Sequence, residues 1–194
     1  LDHSGGVAQI FEDFNVENII LPELSTFSEG IYSAELAINE VTRSEGKVYK
    51  ASEGMNFKLG DFNITVVDLY PNFANENNQS VIIKAEIDGK IFLFTGDAEK
   101  ETENKLVAKN KDIDCDVLKV AHHGSNTSTT KDFLEKCSPD FGVISVGKDN
   151  IYNHPHRSTL EQLKNANVEI YRTDKQGDIT FYINNGKFDI KTEK

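Results

Sequence analysis

Apolar positions fall into short periodic runs along the whole chain. Val7, Ile10, Phe11 and Phe14 stand at i, i+3, i+4 and i+7, which predicts an amphipathic helix starting directly after Gly5-Gly6. "NIILP" (18–22) predicts a short buried strand, and Ile31, Ala34, Ile38 and Val41 mark a second helix. "NITVVDLY" (63–70) is rich in β-branched residues and predicts a strand. In "SVIIKAEIDGKIFLFTGD" (80–97) two apolar strands flank Asp88-Gly89, the signature of a type I′ hairpin turn.

A helix over 99–109 and a buried strand over 115–121 follow, then a short helix over 131–136 and a strand over 141–147. Ser158 to Ala166 form a helix, with Ser158 as N-cap and Glu161 at the capping-box position. A strand over 168–173 precedes a closing hairpin over 178–190 around Asn185-Gly186. Strands alternating with helices, ended by a hairpin, predict a layered α/β or α+β fold with loops at strand ends free for chemistry. No repeat, low-complexity segment or linker interrupts residues 1–194, so one domain is expected.

Composition narrows this picture. Of the 194 residues 38% are hydrophobic and 27% charged, with a net charge of -11. That suits a globular domain with its own core. No apolar run approaches the roughly 18 residues of a membrane helix. Such an acidic surface repels phosphate backbones, so any nucleic-acid contact has to be local or carried by metal ions. Cys115 and Cys137 are the two cysteines. Neither lies in a CxxC pair or beside a histidine, which excludes a cysteine-built zinc site. Two free or buried thiols are the favoured reading, over a disulfide.

The candidate chemistry lies in the histidines. His3, His122, His123, His154 and His156 are confined to three loop-like stretches, "LDHSGG", "VAHHGSNTS" and "NIYNHPHRS". A fourth stretch, "FLFTGDAE" (92–99), ends an apolar strand with an aspartate. A carboxylate there is costly to desolvate unless it is paired, caps a helix or binds metal. The bland reading makes Asp97 the N-cap of the following helix. The sharper one is a metal site built from loops at one sheet edge, whose imidazole and carboxylate ligands suit zinc, manganese or iron.

These four blocks, in this order, resemble the metallo-β-lactamase fold superfamily. "DHSGG" matches the second half of its HxHxDH signature. The chain is therefore expected to begin inside a motif, with two further histidines and N-terminal strands upstream. Within the superfamily the blocks TGD, HHGS and NHPH, with "NNQS" before them, are similar to the hydrolase domains of ComEC-like competence proteins and their stand-alone soluble relatives.

The resemblance implies an αββα sandwich with two divalent ions, Zn2+ or Mn2+, at the strand edge. Asp2 and His3 would bind one ion and Asp97 would bridge both. One of His122 and His123 would serve as ligand or proton donor, with His154 as the late ligand and His156 behind or outside them. No histidine lies between His3 and Asp97, where many members of the superfamily carry one. Asn77, Asn78 and Ser80 stand about where polar groups would replace it or meet substrate.

The implied function is metal-dependent phosphodiester hydrolysis, with DNA or a related phosphodiester as partner. A metal-activated water would attack, and a histidine of HHGS would protonate the leaving oxygen. Ser125, Asn126 and Thr127 would reach phosphate oxygens. Lys148, Arg157 and Arg172 supply local positive charge. The alternatives are hydrolysis of a lactone or thioester, or a degenerate domain that only binds. An extracellular or membrane-associated location is favoured over a cytoplasmic one.

Overall fold

The structure, a computed structural model, describes His3, residues 5–22 and residues 31–194, with backbone alone at 31–33. Asp2 lies outside the described residues. The chain divides into two compact units, Leu1–Ser52 and Glu53–Lys194.

In the first unit the helix α1 (Val7–Asp13) starts after Gly6, and β1 (Asn18–Leu21), α2 (Ile31–Arg43) and β2 (Lys47–Lys50) follow. Its core is small. Ala34, Ala37 and Val41 on α2 are buried, whereas Ile10 of α1 and Phe14 just after it are exposed. β1 pairs with β2 in parallel, from Asn18 opposite Lys47 to Leu21 opposite Lys50. The chain reaches β2 through Gly46, where a Cβ would stand 2.5 Å from the Glu17 carbonyl oxygen.

The second unit is built on a seven-stranded sheet in chain order: β3 (Asn56–Leu59), β4 (Phe62–Asp68), β5 (Ile82–Ile87), β6 (Lys90–Phe94), β7 (Val117–Lys119), β8 (Phe141–Ile144) and β9 (Glu169–Arg172). β3 to β6 run antiparallel, and β6 to β9 run parallel. The β5–β6 turn puts Asp88 at φ 50° and Gly89 at φ 70°, as a type I′ turn requires. The parallel strands are joined by α3 (Lys100–Ala108), α4 (Lys131–Cys137) and α5 (Arg157–Asn165). A single turn, α6 (Thr173–Gln176), leads into the hairpin β10 (Ile179–Asn184) and β11 (Lys187–Thr192).

Alternation along the strands sorts the two faces. Leu93, Leu118 and Ile144 join Leu106, Phe133, Leu134 and Leu163 of the three helices in one core. Gly142 lies under α5, where a Cβ would meet Val168 at 3.1 Å. On the opposite face Phe92 and Phe141 meet Phe181 and Phe188 of the hairpin edge to face. The fold is thus mixed α/β, with helices on one side of the sheet and the β10–β11 ribbon on the other.

Two local expectations change, and one holds. β2 and β3 form although each is only four residues long, and β2 also lacks a two-residue alternation, because pairing with a neighbour decides them. α5 starts at Arg157 with His156 as its N-cap residue. The Ser158 capping box does not form; Glu161 accepts from Arg157 Nε instead, at 2.7 Å. Cys115 and Cys137 are both buried free thiols.

Candidate metal centre at the carboxyl edge of the sheet

Parallel strands bring their carboxyl ends to one edge, the usual place for ligands in open α/β sheets. Here β6 runs into Thr95-Gly96-Asp97, β7 into His122-His123-Gly124, and β8 into the segment carrying His154.

The TGD turn is tight. Gly96 has φ 56°, and a Cβ there would lie 2.8 Å from Ser80 Oγ. Ser80 Oγ donates to the Asn77 carbonyl (2.8 Å) and accepts from Asp97 N–H (3.1 Å). The N-cap residue of α3 is Glu99, so Asp97 is not spent as a helix cap.

The HHGS turn is also unusual. His122 and His123 both adopt left-handed backbone, φ 47° and 52°, a conformation that costs a non-glycine residue and that clusters at functional sites. It splits the two rings. His123 Nδ1 lies 2.8 Å from the Ser145 carbonyl, which can only accept, so Nδ1 carries the proton and Nε2 carries the lone pair. That Nε2 is 3.7 Å from Asp97 Oδ1. A lone pair facing a carboxylate at this distance suits a shared proton or a shared cation. His122 turns elsewhere: its Nδ1 is 3.3 Å from both Glu99 Oε1 and Thr127 Oγ1.

His154 stands beside the two histidines of the HHGS turn. Its ring is nearly parallel to that of His123, at 6.4 Å and 18°. Burial, then the neighbouring His156, His122 and His123, push its pKa below the ordinary histidine value. It therefore stays neutral, as a ligand must. Lys119, half-buried on β7, is pushed down by desolvation while Asp97 pulls it up. A carboxylate, imidazoles and a tautomer fixed by a backbone carbonyl form a donor set that fits a divalent metal.

The family model of the Metallo-beta-lactamase superfamily matches residues 1–148. The chain belongs to that superfamily. Among similar proteins, ComE operon protein 3 of Bacillus subtilis (strain 168) is 31% identical over 97% of this chain and 24% of its own length. Competence protein ComA of Neisseria gonorrhoeae is 33% identical over 58% of this chain and 16% of its own. Recombination protein 2 of Haemophilus influenzae is 28% identical over 92% and 20%. The chain thus spans a quarter or less of these relatives.

With the metallo-β-lactamase frame in place, the remaining expected residues sort clearly. His3 lies in the first unit, in the turn before α1. Asn77 donates to Glu99 (3.1 Å). Asn78 is fully buried, donating to Glu101 and accepting from Glu99 N–H, so both its polar ends are used inside the fold. Ser125 is buried against Thr127, and Asn126 is exposed with its N–H on His156 Nδ1. Arg172 is held by both oxygens of Asp174, at 3.0 and 2.6 Å.

Sequence reasoning did not single out Glu99, Glu103 or Asn150. Glu103 is buried in α3 and accepts from Thr129 and Thr130 N–H; burial raises its pKa against those two bonds. Asn150 accepts from His154 N–H and donates to the His154 carbonyl. The signal was a polar residue four positions before His154, a spacing that ordinary loops also show.

Proposed function

We propose that the chain is a metal-dependent phosphodiesterase that cleaves DNA or a related phosphodiester. The observation that carries this reading is the His123 geometry: Nδ1 locked on the Ser145 carbonyl and Nε2 facing Asp97 at the carboxyl edge of the sheet. Asp97 and His123 would hold the metal, with His154 as the late ligand that the NHPH motif assigns. Asp2 and His3 are assigned to it by the DHSGG motif alone. Bound zinc or manganese would supply a water acidic enough to attack near neutral pH and would offset charge on the phosphoryl group. His122, its Nδ1 engaged by Glu99 and Thr127, would act as the general acid from its doubly protonated form, giving the Nε2 proton to the leaving oxygen and returning to the neutral ring. The names of two relatives, a competence protein and a recombination protein, support DNA as the substrate. An extracellular or membrane-associated location goes with this reading.

Hydrolysis of a lactone or thioester is the second reading. The net charge of -11 and the neutralised Arg172 favour it, because neither invites a polyanion. The deciding experiment is metal per chain by elemental analysis, followed by hydrolysis of a phosphodiester and a lactone at equal metal loading. Bound zinc or manganese, its loss in Asp97→Asn, and turnover of the phosphodiester alone are expected. A chain that takes up neither metal at saturating concentration sinks the catalytic reading.

A further inference from the structure

The loop from Gly147 to His156 carries Ile151 and Tyr152 at its tip, 85% and 65% exposed. Exposed apolar side chains are ordinary taken one at a time, so what marks these two is how the loop holds them. Here the tip is fixed in the outward position. Asn150 Nδ2 donates to the Gly147 and His154 carbonyls (3.0 and 2.7 Å), and its Oδ1 accepts from His154 N–H (2.9 Å). Asp149 and Asn153 close the tip on either side in left-handed conformations, φ 56° and 55°.

Tyr152 is also aligned with the candidate metal centre. Its ring lies against that of His154, 5.7 Å and 25° apart, and His154 lies against His123, 6.4 Å and 18° apart. Three near-parallel rings therefore lead from solvent to the histidine that faces Asp97. Among the described residues Tyr152 makes no other ring or cation contact, so its outer face is open. Charge does little at the tip. Lys148 is followed in the chain by the opposite charge of Asp149, and Arg157 is engaged by Glu161 (2.7 Å).

A flat, neutral, open ring that ends a stack beside a hydrolytic site fits another flat ring. We propose that Tyr152 is a substrate-stacking residue, and that it receives a base of a single-stranded nucleic acid next to the bond to be cleaved. The inference rests on the phosphodiesterase reading and names its substrate more closely. A single strand is specified because only unstacked bases can be splayed onto an aromatic side chain, whereas duplex bases are covered by their neighbours. Any base suffices, since every base has a π-face.

The test is fluorescence anisotropy of metal-free protein with two labelled strands of equal charge: an oligothymidylate and an abasic strand of the same length. Wild type is expected to bind the oligothymidylate roughly tenfold more tightly, with the ratio unchanged by salt because both backbones are alike. Tyr152→Phe keeps the preference, Tyr152→Trp enlarges it, and Tyr152→Ala, with its melting temperature checked, brings the ratio near one. A preference that survives in Tyr152→Ala, the lack of one in wild type, or equal binding of duplex overturns the proposal. Hydrolysis of bis(p-nitrophenyl) phosphate by metal-loaded protein is scored separately. Its failure removes the phosphodiesterase reading and leaves the stacking result to stand or fall alone.

Discussion

At the scale of single residues, the pair in HHGS shows what a sequence conceals. Two adjacent histidines carry the same chemistry in the written chain. Left-handed backbone at both sends one ring to Ser145 and Asp97 and the other to Glu99 and Thr127. Backbone conformation, which no residue count reveals, assigns the roles. Asp97 was more legible: a carboxylate after a wholly apolar strand had few bland explanations, and the helix cap was one the structure replaces with Glu99. The split can be checked by substitution. His123→Ala is expected to lose most of its bound metal by elemental analysis. His122→Gln is expected to keep its metal while turnover falls about 10²–10⁴-fold, the usual worth of a positioned general acid. Equal metal loss in both variants would show that the two rings share the ligand role.

At the scale of elements, the β4–β5 connection is the instructive case. The residues of "NNQS" were candidates for substrate contact, yet their side chains brace the start of α3. Asn78 takes Glu99 N–H, meets the Thr102 hydroxyl at 3.0 Å and donates to Glu101; Ser80 takes Asp97 N–H. Asn78→Ala leaves the buried Thr102 hydroxyl and the half-buried Glu99 N–H without that partner. It is expected to cost about 1–3 kcal/mol in chemical denaturation, and Asn78→Asp part of that through repulsion with Glu101. Full stability in Asn78→Ala would mean the brace is redundant. The hairpins were legible because Asp-Gly and Asn-Gly state their turn type outright. β2 and β3 were not, because four-residue strands draw their stability from a neighbour rather than from their own pattern.

At the scale of the whole molecule, an acidic chain keeps one buried carboxylate between two lysines. Asp68, buried at the end of β4, lies 3.2 Å from both Lys109 and Lys111 and accepts from Tyr70 at 2.8 Å; Glu53 also engages Lys111. Burial alone would raise Asp68, but the bonds from Tyr70, Lys111, Lys109 and the Leu69 N–H outweigh it and hold the carboxyl below its ordinary 3.8. A depressed folded value means stability that is complete above about 3.8 and is lost as pH falls through the lower folded value. Glu103 has the opposite sign. Its raised folded value adds stability as pH falls through that value toward its ordinary 4.5. The two act in separate windows: the gain from Glu103 is complete by about 4.5, and the loss from Asp68 starts only below about 3.8. Asp68→Asn is expected to be less stable by about 1–3 kcal/mol at neutral pH and to lose the downturn below 3.8 in denaturation curves taken against pH. An unchanged acid limb would place the sensitivity elsewhere.

The loops around Asp97 are tied to one another rather than merely adjacent. His122 N–H reaches Gly96, His156 N–H reaches Gly124, and Lys100 N–H reaches Thr127. Thr129 and Thr130 hang from Glu103, and Val146 N–H rests on Thr173 Oγ1 (2.8 Å). Each of these amides has its partner before any ligand arrives. The conformational entropy of the loops is therefore surrendered during folding, and an incoming metal or strand has little but its own freedom left to give up. The edge of the sheet works as a rigid socket: affinity is set by what enters, and the protein need not close around it.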